Sequence, residues 1–109
     1  MAVAVAQLIA PQAMTAATET YYTSAGGTRI DKVTVCNTGA TALTVTLFIV
    51  PNGQAAFTSN TLSSARSIAA GQTWNCPDLI GQALNKGDTI QGSASGAGLT
   101  IMASGVTIS

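Results

Sequence analysis

The chain has 109 residues, with only four positive and four negative side chains and no histidine. That length supports one domain. The charge balance leaves none of the basic surface that nucleic-acid binding needs, and without imidazole there is no Ser-His-Asp or Cys-His catalysis and no histidine metal site within this chain.

Hydrophobic residues make up 47% of the sequence, but nineteen are alanine, so the core must be built from small side chains. With zero net charge, little electrostatic repulsion keeps copies apart. Either Thr, Ser, Asn and Gln supply the wet surface, or other protein covers much of it, and the composition suits both.

The first segment, MAVAVAQLIA, is apolar but has no Lys or Arg, and Gln7, Pro11 and Gln12 interrupt it. A secretory leader wants a positive start and a membrane span wants about 20 apolar residues. Residues 1–17 are therefore expected to be an N-terminal arm or a first strand, with Val3 and Val5 alternating and Pro11 ending the run. Carrying no charge and many alanines, the segment is expected to leave the domain and order against a neighbouring subunit. Val3, Val5, Leu8 and Ile9 are its candidate interface residues.

From residue 18 onward the dominant period is two, the signature of strands with one buried face. TETYYT over Thr18–Thr23 is strand-like by β-branched and aromatic content. RIDKVTVCN over Arg29–Asn37 places Val33 and Val35 on one face. ALTVTLFIV over Ala42–Val50 places Leu43, Val45, Leu47 and Ile49 on one face, and Pro51-Asn52-Gly53 stops it. The linking Asn37–Thr41 reads as a short turn whose glycine, Gly39, is able to take positive φ, so these two strands are expected to form a hairpin. Gln54–Asn60 reads as a surface loop carrying Phe57, followed by a strand over Thr61–Ile68 and another over Thr73–Cys76 that holds Trp74. Pro77–Leu84 has proline at a first helical position and Asp78 in the first turn, which predicts one or two helical turns weakened by Gly81. Strands over Thr89–Ser95 and Leu99–Ile108 close the chain, the last with a bulge expected at Gly105.

Seven or eight short strands, frequent turns and one short helix predict an all-β fold. The expected architecture is an antiparallel β-sandwich, jelly-roll-like, over residues 18–109 as a single domain. A parallel α/β fold would need helices between its strands, and the sequence offers none.

Motifs that carry chemistry are sparse. Gly92-Ser93-Ala94-Ser95-Gly96 has alanine where a nucleophile elbow has serine, and it reads as a flexible strand end. Gly96-Ala97-Gly98 lacks the third glycine of a dinucleotide loop and precedes a strand. Glu19, Asp31, Asp78 and Asp88 are scattered, and Arg29, Asp31 and Lys32 read as a solvated strand edge that discourages wrong pairing. No catalytic residue, cofactor or metal ligand is therefore assigned, and the chain is expected not to be an enzyme. Tyr21, Tyr22, Phe57 and Trp74 suit core, protein interface or sugar stacking. Cys36 and Cys76 form no metal spacing and read as small buried apolar residues with free thiols, although spacing alone leaves a disulfide open.

The segments IDKVTVCNTGATALTVTLFIVPNG, TLSSARSIAAGQTWNCPDLIGQAL, NKGDTIQG and the closing LTIMASGVTIS together resemble small virion structural proteins of tailed phages. The resemblance covers most of the chain after the first twenty-odd residues. It implies a head decoration or cement protein over the joints between capsid subunits, with the major capsid protein and copies of itself as partners. Neither nucleic acid nor membrane is an expected partner. It also implies a location in the virion after synthesis in a reducing cytoplasm, where thiols stay free. It does not separate head from tail or fibre positions. The alternative is a receptor- or carbohydrate-binding β-sandwich of a fibre or adhesin, which would display its aromatics around a groove.

Overall fold

The computed structural model describes residues 3–108, which form nine strands and one 3₁₀ turn. The strands are β1 (Val3–Ala13), β2 (Glu19–Thr23), β3 (Gly27–Asn37), β4 (Leu43–Val50), β5 (Thr61–Ile68), β6 (Thr73–Asn75), β7 (Ala83–Leu84), β8 (Thr89–Ala94) and β9 (Leu99–Ile108). One sheet has the order β1-β9-β3-β6, with β7 also on β3, and the other has the order β2-β8-β4-β5. Every pairing is antiparallel.

The pairing is nested. β6 lies along Thr34–Cys36 of β3 and β7 along Thr28–Arg29, so the two act as one interrupted strand. Counted that way, β4 pairs with β5, β3 with β6–β7, β2 with β8 and β1 with β9. This is a long antiparallel ribbon folded in half and then rolled, so that β8 also meets β4 and β9 also meets β3. An eight-stranded ribbon rolled into two facing sheets is a jelly roll.

Inward positions follow the two-residue period. Ile30, Val33 and Val35 of β3, Val45 and Leu47 of β4, Ile90 of β8, and Leu99, Ile101 and Ala103 of β9 are buried between the sheets. None of the largest fully buried side chains is aromatic, so the small-residue composition produces a thin aliphatic core.

Four local expectations are corrected. The hairpin of β3 with β4 does not form, because the two strands belong to opposite sheets. Asn37 directs the crossing: its amide bonds Gln72 O at 2.9 Å and its carbonyl accepts from Gly71 N at 2.9 Å. Its buried side chain donates to Thr41 O at 2.8 Å and Ile68 O at 2.9 Å and accepts from Gly39 N at 2.9 Å. With those groups committed to the β5–β6 turn, the chain continues across the sandwich, and Gly39 has no positive φ.

Pro77–Leu84 forms turns and the short β7 instead of a helix. Ile30, on β3, takes Gln82 O at 2.9 Å with its amide, and its carbonyl accepts from Gly81 N. Gly81 sits at φ 83°, the conformation that the third position of such a turn requires. Among the described residues the one helical element lies instead at Thr58–Asn60, inside the expected loop.

The last-strand bulge lies elsewhere. β9 stays regular while β3 shifts register between Ile30 and Lys32, and β1 shifts between Gln7 and Ile9. Finally, of the arm and the first strand expected at the N-terminus, the described residues form the strand and do not leave the sandwich. Residues 3–13 pair with β9, and Leu8, Ile9 and Met14 enter the core.

Candidate interaction surface

β1 is the outermost strand of its sheet. From Val3 to Gln7 it runs in unbroken register against Ile108 to Ser104 of β9. In this stretch the odd positions face outward: Val3 is 67% exposed and Val5 88%. Opposite them on β9, Ile108 is exposed and Val106 half-buried, and Met102, exposed on the same face, lies further along β9 opposite the irregular part of β1. Among the described residues, four of the six exposed large hydrophobics thus share the outer face of two neighbouring strands.

Past Gln7 the register shift turns two successive residues inward. Leu8 and Ile9, expected at an interface, are core residues at 7% and 1% exposure. The same device acts in β2, where a shift between Thr20 and Tyr22 lets Tyr21 and Tyr22 both pack against the core. The Tyr21 hydroxyl is buried with Thr15 nearby but outside hydrogen-bonding geometry, and burial raises its pKa above the ordinary tyrosine value. Tyr22 reaches Thr28 Oγ1 at 3.2 Å, and Thr28 meets Ser24 Oγ at 2.9 Å. Tyr22 and Thr28 border a cavity of about 190 Å³ that Ala25, Gly26, Thr107 and Ile108 complete.

Trp74 on β6 is half-buried against the core, with the Arg66 guanidinium 5.3 Å from its ring centre. Phe57 is 63% exposed on the β4–β5 loop. Its backbone is fixed there, since Asn60 Oδ1 accepts from Phe57 N at 3.0 Å and Thr61 Oγ1 donates to Phe57 O at 2.9 Å. The structure therefore brings Val3 and Val5 together and leaves the aromatics apart from them and dispersed, Tyr21 and Tyr22 on β2, Phe57 on the β4–β5 loop and Trp74 on β6. It adds Met102, Val106 and Ile108, which the sequence reading missed: with β9 regular through Gly105, Val106 and Ile108 fall on the face opposite Leu99, Ile101 and Ala103.

Charge contributes little to this surface. Arg29 Nε and Asp31 Oδ1 form an exposed pair at 2.8 Å on the outer face of β3. Among the described residues no three His, Cys, Asp or Glu side chains come together as a metal site, and no helix is long and apolar enough to cross a membrane. Cys36 is half-buried and Cys76 is in the core, both as free thiols. No family model, curated protein or solved structure matches the chain.

Proposed function

We propose that the chain is a non-enzymatic structural protein of a tailed-phage particle, a decoration or cement protein seated over joints between subunits of the major capsid protein. The observation that carries this reading is the uncharged apolar face of β1 and β9, with Val5 at 88% exposure beside Val3, Val106 and Ile108. Contiguous exposed apolar surface on a small domain marks an interaction site. A jelly roll presents such a face rigidly, and the sequence resemblance supplies the particle as the place where it is used.

Binding in this reading rests on shape and apolar contact. Side chains that sum to zero charge produce no strong directional field. Many equivalent copies each add a modest interface, and the shell sums them. The test is to purify particles, count copies of the chain per shell, and raise sodium chloride from about 0.1 to 1 M, which shortens the Debye length about threefold. A fixed copy number retained throughout supports the reading. Absence from particles overturns the assignment, and release by salt overturns the apolar mechanism.

A further inference from the structure

Two sheets present four edges, and three of them are blunted. β2 is five residues long, opens with Glu19 and is broken by its register shift. β5 carries Arg66 and a bulge in which Ala65 sits at φ 47°. The edge formed by β6 and β7 consists of three and two residues, and the turn between them already occupies the carbonyl of Val33 and both backbone groups of Ile30. Short strands, bulges, charges and covering loops are the usual protections against edge-to-edge pairing.

β1 has almost none of these protections. It is eleven residues long, and no charged residue precedes Glu19 in the sequence. Its protections, Pro11 and two register shifts, all come after Gln7. Val3–Gln7 is thus a regular, uncharged edge whose outward backbone groups are complemented best by another strand.

The side-chain order says which strand. Ala2-Val3-Ala4-Val5-Ala6 reads the same in both directions. An antiparallel strand pair related by a two-fold axis requires a segment to complement its own reversed copy. Centred on Ala4, such a pair sets Val3 opposite Val5 of the second copy and keeps every valine on the outer face. Neither copy brings charge to the contact, so none opposes the approach. We propose that two copies of this chain join β1 to β1, antiparallel and centred on Ala4, making one continuous sheet across the dimer. The Val3 and Val5 stripes of both copies would then merge with Val106 and Ile108 into a single apolar face. This inference stands on the edge geometry and does not depend on the particle.

The test is sedimentation of the full chain, free of particles, across a wide dilution series. The expected result is a monomer–dimer equilibrium with β1 amides protected from exchange in the dimer and released on dilution. Val5→Lys, at a position 88% exposed, is expected to weaken the dimer at least about tenfold while leaving the circular dichroism unchanged. Met102→Lys, on the same face but one strand in from the edge, is expected to leave it intact. Val3→Glu combined with Val5→Lys restores association, because the register sets opposite charges against each other.

A monomer at every concentration overturns the proposal, as does a dimer indifferent to Val5→Lys. Equal loss with Met102→Lys means that faces pack rather than edges, which also overturns it. A double variant as weak as Val5→Lys overturns the Ala4 register. Since no particle is present, each outcome is separate from the fate of the cement reading.

Discussion

The two edges of the first sheet solve the same problem in opposite ways. On one side, β6, β7 and the turn between them close over β3, bonding Ile30 and Val33 through Gly81, Gln82 and Cys76. On the other side, β1 lies against β9 and shows its far edge to solvent. This small, nearly uncharged chain thus leaves one sheet edge open to further pairing and closes the other. Its turn chemistry is concentrated on the edge that must stay closed, while the open edge combines regular backbone with valine and alanine.

The largest loss is expected at Gly105. This residue pairs with Ala6 on one side and Ile30 on the other, so it joins the open edge to the rest of the sheet. A methyl group there would collide with the Arg29 carbonyl oxygen and lie 3.0 Å from Leu8 Cδ1. Backbone cannot give way as a side-chain tip can. Gly105→Ala is expected to cost about 3 kcal/mol, at the upper end for overpacking. Urea unfolding measures the loss, and exchange of β1 amides is expected to rise before that of β4 and β8. A cost below about 1 kcal/mol would mean that β3 and β9 separate without penalty.

Alkaline pH tests the closed edge. Cys76 follows β6 directly, is fully buried, and bonds Val33 O through its amide at 2.9 Å. Burial raises its thiol pKa, with the nearby Leu79 and Asp78 amides offsetting part of the rise. A group whose folded pKa is raised contributes stability that is complete below its unfolded value and lost as pH passes the folded one. The unfolded thiol titrates near about 8.5, so stability is expected to hold at neutral pH and fall in the alkaline range above it. Tyr21, raised for the same reason, adds a further loss at higher pH. Hydrogen exchange across that range is expected to show β6 and β7 loosening before β1. Cys76→Ala is expected to remove the first part of the dependence, and an unchanged profile in that variant would assign it elsewhere.

The alternation of apolar residues made the strands and their buried faces legible, as in Val33 with Val35, Val45 with Leu47, and Leu99 with Ile101 and Ala103. Periodicity fixes a face but not a partner, which is why β3 and β4 read as a hairpin. Their partners are far away in sequence, β9 for β3 and β8 for β4, and the bonds of Asn37 to Ile68 and Gln72 mark the crossing between sheets. Likewise Pro77 and Asp78 are good helix starters, yet the unpaired edge of β3 claims that segment, a tertiary demand that outweighs local propensity. Leu8-Ile9 could not be placed by period two, since burying neighbours requires a bulge. Within the candidate surface, Val3 and Val5 were readable because nothing bulky or charged accompanies them.

The smallest expected effect lies at the protected edge of the second sheet. Between Val45 and Leu47, β4 advances two residues while β5 runs from Arg66 back to Ser63, so β5 holds one residue more. Ala65 takes up the excess at φ 47°, where an L side chain crowds its own carbonyl. The bulge is held from across the ladder, because Thr46 Oγ1 accepts from Ala65 N at 3.0 Å. Ala65 is itself exposed, so its methyl loses little packing when removed. Ala65→Gly is therefore expected to relieve the strain and stabilise the chain by a few tenths to about 1 kcal/mol, the larger entropy of glycine in the unfolded chain offsetting part of the gain. A thermal melt measures it. Because the bulge twists β5 away from further pairing, the variant should also remain as dimeric or monomeric as the parent chain. If Ala65→Gly created new association while Val5→Lys did not reduce it, the open edge would be β5 and not β1.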